Sequence, residues 1–230
     1  MSLETALIEL HYLPSVQYFA HLIRYPDLMI EGAENYQKGS YRNKCAIATA
    51  NGILRLSVPL EGGKHQQQPI REVRIAYTDP WRQKHWRSIE SAYGNSPFFI
   101  HYRDEFQAVF AKKHAFLFEL NLELLQTLIR LMKLDTRISF TQSYLATVTV
   151  PGIADLRNRI SLKGPPAPDF SPATYSQVFQ ERFGFIPNLS ILDLLFCCGP
   201  GARGILEKSM LSAPPGTPGK NTEHDEPITE

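Results

Sequence analysis

Cysteine is scarce in this sequence: Cys45, Cys197 and Cys198 are the only three in 230 residues, and two of them are adjacent. An odd count at that spacing draws neither a disulfide framework nor a zinc-ligand set, and a reducing compartment is the simpler expectation. Charge of one sign is also lacking. With 24 Lys and Arg against 23 Asp and Glu, the formal net charge is +1, so there is no global basic field of the kind that binds nucleic acid or acidic membranes. Every apolar run is broken by charge well short of the ~20 residues a membrane span requires. The opening Met1–Thr5 has no basic region leading into an apolar core, so no signal peptide is expected, and the prediction is a cytoplasmic protein. His101 and His114 stand alone, no histidine pair sits one helical turn apart with a carboxylate motif, and no metal site is expected. No Ser/His/Asp or Cys/His order commits to a catalytic triad.

What is present reads as an α/β protein. Ala6 to Leu13 is a mostly apolar run that predicts a strand ending at Pro14. Ser15 is a candidate N-cap for a helix through Val16, Phe19, Leu22 and Ile23, and Pro26 stops it. Leu28–Glu31 predicts a second strand, giving a strand–helix–strand unit whose strands should run parallel. Cys45–Ala50 and Ile53–Pro59 flank Asn51-Gly52, a strong hairpin signal because both residues tolerate positive φ. Glu61 to Pro69 reads as polar loop, and Ile70 to Tyr77 alternates like a half-exposed strand. Asp79-Pro80 predicts an N-cap and first helical residue for a helix with Trp86, Ile89 and Tyr93 on one face, closed by Gly94. Helices are expected over Phe98 to Phe110 and over the leucine-rich His114 to Leu134. Arg137 to Leu145 and Thr147 to Val150 have strand character, and Lys163 to Asp169 reads as an extended linker. A helix is expected near Tyr175 to Phe183, and Ser190 to Asp193 reads as a capping box opening another that ends at Gly199-Pro200. The expectation is a mixed sheet opened by the strand–helix–strand unit and the Asn-Gly hairpin, packed by several helices. Residues 1–211 form one domain, followed by a disordered tail over 212–230, rich in Pro, Gly and charge.

Three groups of residues carry chemistry. His11 falls at the end of the first strand, where open α/β sheets bind ligands, and could act there as a general acid or base or orient a phosphate. The turn from Glu34 to Lys44 gathers Tyr36, Lys38, Tyr41, Arg42 and Asn43 around Gly39. Arginine binds phosphate or carboxylate in bidentate fashion, lysine adds a point charge and tyrosine a hydrogen bond or a stacking face. The group therefore reads as an anion grip, against the plainer reading of a solvated turn. In the third group, Trp81 to Trp86, Arg82 falls near the inward face and His85 borders it. A buried arginine requires a partner, which makes Arg82 and His85 candidates for a pocket wall. Arg157 reads as a local partner of Asp155, and Asn121 as a core polar residue.

Taken in order, Tyr36-Gln37-Lys38 with Tyr41-Arg42-Asn43, Leu56-Ser57-Val58-Pro59, Trp81 to Trp86, Ser91-Ala92-Tyr93, Pro97-Phe98-Phe99, Asp155-Leu156-Arg157 and Asn188 to Phe196 resemble the WbqC-like family of bacterial proteins. The resemblance runs from about Leu7 to Leu206. It implies a link to surface-polysaccharide (O-antigen) gene clusters and transfer of glycine or another aminoacyl group. Carried over by motif, it places Lys38, Arg42, Asn43, His85 and Tyr93 near a site. Lys44 stands where the family often has arginine, and Cys197-Cys198 where it commonly has an Asn-Glu pair before Gly-Pro.

The expected activity is transfer of an acyl or aminoacyl group to a sugar or sugar nucleotide, with His85 or His11 as general base and Lys38 and Arg42 on a phosphate or carboxylate. Such a transfer needs ATP or an already activated aminoacyl donor. The competing expectation is a non-catalytic ligand-binding or assembly protein of the same pathway, using the same pocket without a base.

Overall fold

The computed structural model describes residues 4–62 and 68–211. The expected tail over 212–230 and the middle of the 61–69 loop lie outside the described residues.

The chain opens with strand β1 (Thr5–Ile8), helix α1 (Val16–Leu22) and strand β2 (Asp27–Ile30), and the two strands pair in parallel from Thr5↔Asp27 to Ile8↔Ile30. Ser15 caps α1 through its Oγ, which accepts the Tyr18 amide at 3.4 Å. β1 is shorter than its apolar run. The Glu31 amide closes the ladder on the Ile8 carbonyl at 2.8 Å, and the chain then leaves the sheet through Leu13 at φ 43. Glu9 to Leu13 are all buried, but as a turn folded over the end of the sheet.

Strands β3 (Lys44–Thr49) and β4 (Gly52–Ser57) form the expected antiparallel hairpin. Its two-residue turn is Ala50-Asn51, with Gly52 paired to Thr49 at φ 97. The alternation over 70–77 does not produce a strand. Ile70, Val73 and Ile75 are buried, but the segment is a 3-10 turn (Ile70–Glu72) followed by single bridges from Arg74 to Phe116 and from Ile75 to Leu60. Among the described residues no second strand lies alongside to extend a ladder.

Helix α2 (Trp81–Tyr93) begins without a side-chain cap: Pro80 holds the N-cap position, and Asp79, one residue before it, pairs with Lys84 at 2.6 Å. Its buried stripe is Trp81, His85, Ile89, Ala92 and Tyr93, turned toward His85 and away from Trp86 and Arg82. Helices α3 (Phe99–Ala111) and α4 (Leu117–Leu131) follow, the latter buried along Leu117, Leu120, Leu124, Leu125 and Leu128.

The chain returns to the first sheet with β5 (Arg137–Phe140) and β6 (Ile153–Asp155), both parallel to their neighbours, giving the order β5-β2-β1-β6. The strand expected at 147–150 is instead exposed connection that reaches β6 a few residues later.

Of the helix expected near 175–183, only α5 (Gln180–Phe183) forms. Tyr175 and Gln177, outside any helix, are tied to the buried Asp193 carboxylate at 2.7 and 2.8 Å. Asp193 therefore faces inward and does not complete a capping box, although Ser190 does cap helix α6 (Ile191–Cys198) through the Leu192 amide. A 3-10 turn at Gly199–Gly201 leads into α7 (Ala202–Lys208). Phe196 anchors the helical core, meeting Phe99 and Phe106 edge-on with centroids 5.1 and 5.6 Å away. Each such pair adds about 1 kcal/mol beyond area burial.

Four parallel strands share one carboxyl edge. Glu9 and Glu31 follow β1 and β2, Thr141 follows β5, and Leu156, Arg157 and Asn158 follow β6.

Gly199 ends α6 at φ 50, and a Cβ at this position would collide with the Phe98 ring. Gly199→Ala is expected to cost roughly 2–4 kcal/mol, from left-handed strain together with overpacking. Urea denaturation at neutral pH measures it, and an unchanged midpoint would refute the close packing of α6 on Phe98.

Candidate functional site at the carboxyl edge of the parallel sheet

The charged residues that follow the strands form a network of two hydrogen-bonded groups, which meet where Arg157 and Asn158 adjoin in the chain. After β1, Glu9 bonds the His11 Nε2 at 3.0 Å through Oε1 and accepts the Asn158 amide at 3.0 Å through Oε2. After β2, Glu31 accepts the Thr141 hydroxyl at 2.5 Å and the Ala33 amide at 2.9 Å. The Arg157 guanidinium donates to Glu31 at 2.7 Å and forks onto Asp155 at 2.9 and 2.6 Å. From the turn that follows β2, Arg42 forks onto Glu34, with Nε 2.7 Å from Oε1 and Nη2 on Oε2. The same Nη2 donates to the Asn158 side chain at 3.0 Å, and Arg42 Nη1 lies 3.9 Å from Glu9. Asn158 holds φ 57, which lets its backbone serve Glu9 while its side chain serves Arg42.

The centre of the network is out of water, with His11, Glu9 and Arg42 each 1% exposed and Glu34 3% exposed, while Asp155 and Asn158 reach the surface. Burial pushes the Glu9 carboxyl up, but the hydrogen bond from His11, the charge of Arg42 and the Asn158 amide overcome it and hold Glu9 below the usual carboxylate range. Burial lowers His11 against the pull of Glu9, so the imidazole stays neutral, with Nε2–H donating to Glu9. Its Nδ1 then carries a lone pair, and that buried atom has no hydrogen-bond partner among the described residues. The ring is flanked by Tyr18 (centroids 4.8 Å apart) and stacked on Tyr41 (5.2 Å, 23° between planes). Burial also pushes Glu34 up, against the guanidinium of Arg42. Beside the network, a cavity of about 250 Å³ opens between Ala33, Glu34, Asn35, Gln37 and Tyr144. Among the described residues, no group of His, Cys, Asp and Glu side chains has metal-site geometry.

A carboxylate-oriented neutral imidazole can take a proton from a nucleophile, the carboxylate fixing its tautomer and stabilising the imidazolium that forms.

The family model described as the WbqC-like protein family matches residues 10–159, about two-thirds of the chain. The chain belongs to the WbqC-like family. The matched span takes in every member of the network except Glu9, which lies one residue before it. The chain is also 28% identical over 225 residues to the uncharacterised protein Rv1507c of Mycobacterium tuberculosis, an alignment covering 88% of this chain and 97% of that one. No solved structure matches it.

Of the residues singled out from the sequence, the structure brings His11, Tyr41 and Arg42 together at the sheet edge, and Tyr36 lies buried within reach of the Arg42 charge. Lys38 is exposed on the same turn. Asn43 is a latch, donating to the Val58 carbonyl at 3.0 Å. His85, Arg82 and Tyr93 lie elsewhere. The Tyr12 hydroxyl bonds His85 Nδ1 at 2.8 Å, and the Trp81 ring packs edge-on at 5.2 Å. Arg82 Nη1 caps the end of α3, donating to the carbonyls of Phe110, Ala111 and Lys112 at 3.2, 2.8 and 2.6 Å. The Tyr93 hydroxyl accepts the Ala48 amide at 3.3 Å in the helical core. Sequence reasoning passed over Glu9, Glu31, Glu34, Thr141 and Asn158, and took Arg157 as a purely local partner of Asp155. One signal was available: an acidic residue directly after each apolar strand, Ile8-Glu9 and Ile30-Glu31.

Burial holds His85 down to about 4 from an ordinary 6.5. The unfolded chain therefore takes up this proton first, so the stability His85 contributes is complete above pH 6.5 and drains away as pH falls toward 4. The loss is roughly 3 kcal/mol at about 1.4 kcal/mol per pH unit. In denaturant titrations across this window, His85→Gln should flatten the dependence by close to one proton. An unaltered slope would show that His85 is not held neutral by the fold.

Proposed function

We propose that this WbqC-like protein is a cytoplasmic transferase that places an acyl or aminoacyl (glycyl) group on a sugar or sugar nucleotide during bacterial surface-polysaccharide biosynthesis, with His11 as general base. The family resemblance supports the reaction class. The observation that carries the assignment of the base is the Glu9–His11 pair, whose imidazole is oriented through Nε2 and bears an unpartnered Nδ1.

The step this pair supports is simple in outline. The acceptor's amine or hydroxyl attacks the activated acyl carbon as its proton passes to His11 Nδ1, and the bond to the donor's leaving group breaks with its electron pair going to that group. Glu9 steadies the imidazolium that results, as a buried carboxylate does for a base that becomes charged in the transition state. His85 is unsuited to this role, because its Nδ1 already faces the Tyr12 hydroxyl and its surroundings are apolar.

The depth of His11 favours a second reading, a non-catalytic ligand-binding or assembly protein in which the network is structural. One experiment separates the two. A strain lacking the gene is complemented with wild type, His11→Asn or His85→Asn, and the acyl and aminoacyl content of its surface polysaccharide is read by mass spectrometry. His11→Asn should lose the modification, at least a hundredfold in rate, while folded His85→Asn retains most of it. Full modification with His11→Asn would sink the general-base reading and leave the binding protein.

A further inference from the structure

Arg82, expected from sequence in a pocket wall, takes no part in the network at the sheet edge. It does line a cavity of about 320 Å³ at the start of α2, together with Lys113, Tyr77 and Trp81. Its guanidinium spends Nη1 on the carbonyls that end α3, which are neutral partners, and its Nε and Nη2 bond nothing among the described residues. Lys113 is exposed and pairs with no carboxylate among those residues. Both cations lie against the Tyr77 ring, 5.4 and 4.9 Å from its centroid. The acids nearby are already answered. Asp79 pairs with Lys84 at 2.6 Å, and Glu123 is shared by Lys112 and His114. Counting every one of these charges leaves Arg82 and Lys113 in excess.

The helix end at the same cavity is also unfilled. α2 has neither a side-chain cap nor an acid in its first turn. The Trp81 amide bonds the Asp79 carbonyl at 2.8 Å and the Lys84 amide bonds that of Pro80 at 3.2 Å, so the amides of Arg82 and Gln83 are left without an acceptor among the described residues. The first N–H groups of a helix point outward along its axis, and the dipole there favours an anion. Trp81 gives a separate sign. It lines the cavity, is only 3% exposed, and its buried indole N–H has no acceptor among the described residues. A buried donor left unpaired is costly, and a ligand oxygen at this wall would relieve it.

A guanidinium, an ammonium group and free helix amides together form the donor set of a phosphate site. The guanidinium forks onto two oxygens and the lysine adds a point charge. An ammonium ligand would meet two unanswered cations here, and a neutral sugar would leave both unpaired. The cavity falls in the size range of small-molecule sites, so the phosphate can arrive on a small carrier.

We infer that the cavity at the start of α2 binds the phosphate group of a small phosphorylated ligand. This site needs neither His11 nor turnover, so it stands apart from the transferase reading. The phosphate belongs either to a nucleoside diphosphate or to a phosphorylated sugar, and both present the same oxygens to this wall.

Calorimetric titration of the full chain tests it, with UDP and glucose-1-phosphate as phosphate probes and uridine and glucose as controls. Both phosphate probes should bind, with each control weaker by about tenfold or more, and Arg82→Gln and Lys113→Gln should each weaken the phosphate probes about tenfold. Tighter UDP identifies a nucleoside diphosphate, tighter glucose-1-phosphate a phosphorylated sugar. Should Arg82→Gln fail to fold by circular dichroism, the exposed Lys113→Gln decides. No binding of either phosphate probe, parity of the controls with their phosphates, or affinity that both variants leave unchanged would overturn the inference. Loss of binding with Lys38→Gln but with neither of these variants would overturn it too, by moving the phosphate to the turn after β2. Phosphate binding alongside full polysaccharide modification by His11→Asn would remove the base and keep the phosphate site, and the reverse pair of results would do the opposite.

Discussion

The buried pairing of Arg42 with Glu34 is the constraint on which the rest of this molecule turns. Taking two charges out of water costs several kcal/mol each, and the cost is met only where further hydrogen bonds satisfy the remaining donors and lone pairs. Here those bonds come from every part of the fold. Asn158, just after β6, accepts from Arg42 Nη2, and Asn121 of α4 donates to the Arg42 carbonyl at 2.7 Å. Tyr12, in the turn after β1, donates its amide to the carbonyl of Tyr41 at 2.9 Å, and the Val58 amide donates to that of Asn43 at 2.9 Å. One turn therefore joins the parallel sheet, the hairpin and the central helix. Removing the arginine alone would strand Glu34, and Glu9 near it, in a low-dielectric interior.

An apolar core of similar shape could hold these elements together with less electrostatic penalty, so the ion network asks for a reason beyond stability. Its position supplies one. Every ionised member lies at or beyond the carboxyl end of a parallel strand or on the turn that folds over those ends, the place where open α/β sheets present ligands with reactive groups. The contrast between the two buried histidines makes the same point. His85 sits among Tyr12 and Trp81, and simple burial keeps it neutral. His11 sits beside an ionised glutamate that draws a proton toward the ring while burial and Arg42 push it away. Only the second arrangement gives the imidazole a carboxylate to steady the charge it would take on with a proton.

Much of the fold was legible in the sequence because its signals are local. Ser15 and Ser190 cap helices, Asn51-Gly52 marks the hairpin although its turn falls one residue earlier at Ala50-Asn51, and the leucines of α4 repeat at helical spacing. The readings that missed are those in which a distant side chain overrode a local preference. Asp193 recruits Tyr175 and Gln177 and holds them out of a helix. The site was legible by half. His11 and the turn around Arg42 stand out by type and by their place after strands. Which carboxylates meet them depends on the strand order β5-β2-β1-β6, which brings residues more than a hundred positions apart onto one edge, as with Arg157 and Glu31. Single-sequence patterning carries no information about that order.

Adjacency in the chain ties access to chemistry. Tyr41 stacks on the His11 ring, and its neighbour Arg42 holds the Glu34 carboxylate. With His11 only 1% exposed, a nucleophile reaches Nδ1 only if Tyr41 moves off the ring. Consecutive residues share a peptide plane, so the side chain that covers the His11 ring and the one that holds Glu34 are set by the same short turn.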